Sequence, residues 1–248
     1  MLSKAAALLL AVSCFLPFSV ATATEKQYFT GQQPSLADIK QAQQEAAAED
    51  KLLMLVLGAD WCHDSVALME RFNEPSLQAE LQQKFVMRAV DVGYLTYGFE
   101  ITEAYGQPTY YGTPTVMIID PESGQVLNKA DWQYWTNAAS HDAQTFANYF
   151  VHGTFSQPAS ATEWQQQVQA FEQRQAQRVR AGFQAVSPLL ETYIESNRGQ
   201  AKAEFQALWS ELAKFRNEVF ATTVKLNQQS NASEFPDFAL QSWEKTAK

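Results

Sequence analysis

Six consecutive apolar residues, Leu52 to Leu57, end at Gly58, and the period of the chain changes on both sides of them. A run of that length closed by glycine predicts a strand buried on both faces. Upstream, Ser35 can cap a helix reaching to about Glu49, with Leu36, Ile39 and several alanines on one side. Downstream, Ser65 to Phe72 places apolar residues at helical spacing. Asn73-Glu74-Pro75 interrupts it, and Ser76 to Lys84 predicts a second helical piece. Residues 85–92 predict another strand, residues 93–100 an aromatic loop with Gly93 and Gly98, and Ile101 to Gly106 a short helix. Gly112-Thr113-Pro114-Thr115 then leads into an apolar strand, Val116 to Asp120. The turn Pro121-Glu122-Ser123-Gly124 predicts a hairpin returning through Gln125 to Leu127, and residues 142–151 predict a closing helix.

From about residue 160 the chain becomes glutamine-rich and helical in pattern. Trp164, Val168 and Phe171 recur at helical spacing, and Ser187-Pro188 predicts the start of a new helix with proline at its first position. Phe205, Leu208, Leu212, Phe215, Val219, Thr222 and Leu226 alternate steps of three and four, close to a heptad stripe. Such a stripe either packs within the chain, as a helical hairpin or against the preceding part, or offers the 205–226 helix to a partner or a second copy. No catalytic chemistry is read from this region. The predicted division is a leader at 1–23, an α/β domain at 24–155 and a helical region at 156–248.

The chemistry centres on Ala59-Asp60-Trp61-Cys62-His63-Asp64-Ser65, where the buried strand hands over to a helix. Free N–H groups and the positive end of the helix dipole favour a thiolate at that position. Protonated His63 would favour it further and is a candidate tuner of the thiol, whereas Asp64 would oppose it. Asp60 and Asp64 read as solvated surface acids.

This corner resembles the active site of the thioredoxin family, W-C-x-x-C, with Ser65 in place of the second cysteine. Gly112-Thr113-Pro114-Thr115 resembles that family's cis-proline loop, and the order of strands and helices over about residues 35–150 matches its fold. The resemblance implies a thioredoxin fold, a central mixed sheet flanked by helices, here with an α-helical C-terminal extension. It implies Cys62 as nucleophile with Ser65 beside it, and Trp61, Thr113 and Pro114 as the surface that aligns a client chain. Val56 stands where the family usually carries a buried aspartate that serves the second cysteine, so both departures remove the resolving step. Cys62 could still attack a disulfide or form a mixed disulfide, with release by an external thiol such as glutathione. The resemblance thus implies a monothiol protein acting on protein thiols or disulfides. The alternatives are a redox-inactive binding module that docks a partner through its helical region, and a glutathione-linked reductase.

Composition sets the compartment. Lys4, an apolar stretch continuing through Phe18 and Ala21-Thr22-Ala23 read as a secretory signal peptide cleaved after Ala23, which predicts a periplasmic or secreted protein. Ala11-Val12-Ser13-Cys14 lacks the leading leucine of a lipoprotein signal. Cleavage would move the net charge from −9 to −10 and leave Cys62 without an intramolecular partner. Such acidity with no basic run argues against nucleic acid and anionic membranes. His63, His141 and His152 lack ligand spacing, no glycine-rich phosphate loop occurs, and no metal or cofactor is expected. Asn231-Ala232-Ser233 is a short glycosylation sequon, and the tryptophans around Tyr134 read as packing residues.

Overall fold

A computed structural model describes residues 26–156, 161–229, 231 and 234–245. The predicted leader, Cys14 within it, and part of the Asn231 sequon lie outside these residues. Strand β1 (Leu52–Gly58) is central, with β2 (Phe85–Asp91) parallel to it and β3 (Thr115–Ile119) antiparallel on its other side. Leu52 pairs with Phe85, and Leu53 with Ile119.

The apolar run is central because both of its faces are covered. Leu53, Leu55 and Leu57 enter one core together with Met117 and Ile119 of β3, while Met54 and Val56 enter another with Val116 and Ile118. This alternation follows from the two-residue period of a strand. The second core is covered by α2 (His63–Phe72), α3 (Pro75–Lys84) and α6 (Ala143–Phe146), the last continued by a π-turn at Ala147–Val151. The first core is covered by α1 (Leu36–Ala48) and the C-terminal helices α7 (Glu163–Glu195) and α8 (Ala203–Asn227). The short helices α4 (Phe99–Ala104), α5 (Trp132–Trp135) and α9 (Ser242–Lys245), with 3-10 turns at Lys129–Asp131 and Ala138–Ser140, complete the described elements. Trp132 and Trp135 are buried, as packing residues should be, and only Tyr134 of that cluster is exposed. The result is a thioredoxin-like α/β fold with a long helical C-terminal region.

Local chemistry explains the element ends. Ser35 and Asp38 form a capping box at α1, with the Ser35 N–H donating to Asp38 Oδ2 at 2.8 Å. Pro75 occupies the first turn of α3, where its missing N–H would have no helical acceptor.

Two expectations are corrected. The hairpin return does not form a second strand: it contributes one bridge, Ile119 to Val126. Asn128 takes the strand's place, its side-chain oxygen accepting from Ile118 N at 2.8 Å and its amide donating to Val116 O at 2.9 Å. A single buried side chain thereby satisfies two backbone groups on the β3 edge. In addition, Ser187-Pro188 starts no helix, because α7 runs through it. An internal proline costs a helix about 3 kcal/mol. Val179, Phe183, Val186 and Leu190 are buried on both sides of it, and their continuous packing outweighs that cost.

The stripe on α8 is buried within the chain at Phe205, Leu212, Phe215, Val219 and Leu226, joined by Phe220 and Thr223. Leu208 and Thr222 are only half-buried. The drift from 222 to 223 reflects a straight helix of 3.6 residues per turn rather than a supercoil of 3.5. This face packs against α7 and against Tyr111 and Trp132.

Candidate functional site

Cys62 is the N-cap of α2, extended at φ −93° and ψ 114°, with its carbonyl accepting from Val66 N at 3.0 Å. Its thiol is half-buried and donates to the Thr113 carbonyl at 3.5 Å. The Thr113–Pro114 peptide bond is cis. Thr115 Oγ1 braces the loop from below by donating to Gly112 O at 2.7 Å. Trp61 is fixed at both ends: its indole N–H donates to Gly93 O at 2.8 Å, and its carbonyl accepts from Arg198 Nη2 at 2.6 Å.

Cys62, Trp61, Thr113 and Pro114 therefore converge on one edge of the molecule. Ser65 lies inward of this edge. It is fully buried, and its hydroxyl has no hydrogen-bond partner among the described residues. Its Oγ lies beneath Gly58, 2.9 Å from where a Cβ on that glycine would stand. His63 is exposed on the rim.

The two neighbouring acids are half-exposed, as surface acids are, and each also accepts from backbone N–H. Asp64 Oδ1 accepts from Ala139 N at 3.0 Å, tying the start of α2 to the turn after α5. Asp60 accepts from the backbone N–H groups of Tyr28, Phe29 and Thr30 and from the Thr30 hydroxyl, at 2.7–3.2 Å. Burial raises its pKa, but these donors outweigh burial and hold the carboxyl below the usual range. The clamp seats Phe29, fully buried, under Gly58. A Cβ at Gly58 would stand 2.5 Å from Phe29 Cζ, so Gly58→Ala is expected to cost about 1–3 kcal/mol through overpacking. A urea midpoint equal to that of the parent would contradict this.

The C-terminal helices contribute chemistry that their sequence does not announce. Cys62 opens into a cleft of about 410 Å³ lined by Trp61, Tyr193, Phe205, Trp209 and Arg198. Arg198 lies in the turn between α7 and α8, where it and Asn197 are both left-handed, at φ 55° and 54°. Arg216, on α8, reaches the Thr113 loop and touches the space beside Gly112. Burial lowers its pKa to about 10, with the charge of Cys62 acting in the other direction, and it remains a cation at neutral pH. The only sequence signal for Arg216 is a cation directly following Phe215 of the apolar stripe, which does not say what it faces. Among the described residues, no group of three or more histidine, cysteine or acidic side chains is placed to hold a metal ion.

No curated protein matches this sequence. A disulphide isomerase from Xylella fastidiosa Temecula1, known from its crystal structure, aligns over 52% of this chain and 98% of its own, with 23% identity and a TM-score of 0.46. Residues 35–121, the segment that carries β1, Cys62, the Thr113–Pro114 loop and β3, match the family described as thioredoxin-like.

Proposed function

We propose that this protein engages protein thiols and disulfides through Cys62 as its single nucleophile, after export to the periplasm or cell exterior. The observation that carries the reading is the placement of the Cys62 thiol: at a helix N-terminus, half-buried, 3.5 Å from the Thr113 carbonyl and open to a cleft. A cysteine so placed has access to an extended chain lying along the Thr113 loop.

The chemistry is exchange. The Cys62 thiolate attacks one sulfur of a client disulfide, the client S–S bond breaks, a Cys62–client S–S bond forms, and the other client sulfur leaves as a thiolate. No net oxidation occurs. Ser65 carries no thiol with which to resolve the adduct, so release requires a second thiolate, from the client or from a small thiol such as glutathione. That thiolate attacks the client sulfur and returns Cys62 to its reduced form. Trp61 and Thr113, both half-buried, stand beside the thiol, Pro114 itself is buried, and His63 on the rim is the candidate tuner.

The expected result is that wild-type protein forms mixed-disulfide complexes visible on non-reducing gels and dissolved by reductant, and that Cys62→Ala forms none. Ser65→Cys should reduce their accumulation by supplying an internal resolving thiol. Complexes that persist in Cys62→Ala would sink the reading. A second reading, a redox-inactive binding module, draws on Ser65 and Val56, both buried and neither hydrogen-bonded to the thiol. It predicts partner binding that survives Cys62→Ala in full.

A further inference from the structure

Arg216 lies beside the thiol site, and among the described residues no ion pair holds it. It is carried on α8 between the buried residues Phe215 and Val219, which fix its position along the helix. Its guanidinium packs against Gly112: a Cβ on that glycine would fall onto Nη1 and stand 3.0 Å from Cζ. Glycine at 112 therefore leaves the room that the cation occupies. Gly112 adjoins Thr113, whose carbonyl receives the Cys62 thiol. Trp209, one wall of the Cys62 cleft, lies with its ring centroid 5.8 Å from the same guanidinium.

Nε of Arg216 is enclosed and has no hydrogen-bond partner, and no carboxylate pairs with the guanidinium among the described residues. The residue as a whole is half-buried, and a partly buried cation gains from a counter-charge. The guanidinium meets Gly112 and the Cys62 thiol meets Thr113, so the two groups abut adjacent residues of one loop, and a charge on Cys62 would act to raise the Arg216 pKa.

We propose that Arg216 is the counter-ion of the Cys62 thiolate, so that the C-terminal helix completes the thiol site. The proposal rests on Cys62 being the nucleophile and says what holds it ionised. Four other charged groups face the corner. His63 is exposed on the same helix, Asp64 is engaged by Ala139 N, Asp60 is clamped by residues 28–30, and Arg198 donates to the Trp61 carbonyl. Arg216 is the one whose guanidinium abuts Gly112, next to the Thr113 carbonyl that receives the thiol. It acts as a positioning residue: it stabilises the ionised sulfur and makes that sulfur a better leaving group when the adduct is resolved.

The test is the pH profile of iodoacetamide labelling of Cys62 in the full chain, with Cys62→Ala as the blank. The thiolate displaces iodide, so the rate follows the ionised fraction. In Arg216→Met the half-maximal pH should rise by about one unit and the rate at pH 7 fall about fivefold. Arg216→Lys should retain most of the wild-type profile. Gly112→Ala, whose Cβ takes the place of Nη1, should move the profile in the same direction as Arg216→Met. An unchanged profile in a folded Arg216→Met protein overturns the proposal, as do equal losses in Met and Lys, which would mark a packing role. Should Arg216→Met fail to fold, Gly112→Ala decides by the same two outcomes. Client capture by wild-type protein is scored separately: its absence removes the proposed function, while an unmoved labelling profile beside normal capture removes only the role of Arg216.

Discussion

Lys129→Ala is expected to lose about 3–5 kcal/mol of stability, because it strands a carboxylate in the core. Glu172 of α7 is 1% exposed. One of its oxygens accepts from Lys129 Nζ at 2.6 Å and the other from the Tyr111 hydroxyl at 2.8 Å. Burial, then the charge of Glu172 and the hydrogen bond to it, push the Tyr111 phenol well above its ordinary pKa, so it stays a neutral donor. Without Lys129 the buried charge keeps only that phenol. The reverse change is milder. In Glu172→Gln, Lys129, a third exposed, can turn to water while Tyr111 keeps an acceptor, for a loss of about 1–2 kcal/mol. Lys129→Met combined with Glu172→Gln should recover most of the first loss, since a buried ion pair is often replaceable as a unit. Urea unfolding of the three variants checks the order, and equal losses for Lys129→Ala and Glu172→Gln would refute it. This joint fastens α7 to the segment before the Thr113 loop, through Tyr111, and to the turn at Lys129, and the turn after α7 carries Arg198 to Trp61. Thermodynamic damage at Lys129 should therefore loosen the cover of the Cys62 cleft as well.

The strands were legible because each writes its own burial into a short window. Leu52–Leu57 is apolar without alternation because helices cover both faces of β1, and the same holds for Val116–Ile119. The Cys62 corner was legible for a similar reason, since strand, glycine and helix follow one another within a few residues. What was not legible depends on which distant segments meet. Asn128 looks like a loop residue and serves as a strand edge. Pro188 reads as a helix start wherever tertiary packing does not override it. Asp60 stands between Ala59 and Trp61 in sequence, and nothing local reveals that residues 28–30 fold back onto it. Arg216 is hardest of all: its role depends on the register of α8 against Gly112, which no periodicity encodes.

Asp60→Ala should cost about 2–4 kcal/mol at pH 7, a large loss for a residue at the molecular edge. The carboxylate is the acceptor for three consecutive backbone N–H groups and a hydroxyl, and hydrogen bonds to a charged acceptor exceed neutral ones in strength. Alanine leaves those donors to find water while Phe29 must stay beneath Gly58 and beside Ser65. The pH dependence has a fixed sign. The folded pKa of Asp60 lies below its unfolded value of about 3.9, so its stabilisation is complete above that value and is lost as pH falls through the folded pKa. Asp91 works oppositely. Burial raises its pKa against the hydrogen bond from Gly93, and the charge of Asp60 raises it further, so removing that charge relieves a small repulsion and trims the loss at neutral pH. The gap between wild type and Asp60→Ala in urea midpoint should therefore be widest from about pH 5 to 7 and narrow toward pH 3. A gap that stayed constant down to pH 3 would mean that the carboxylate's charge contributes nothing and that Asp60 holds Phe29 by shape alone.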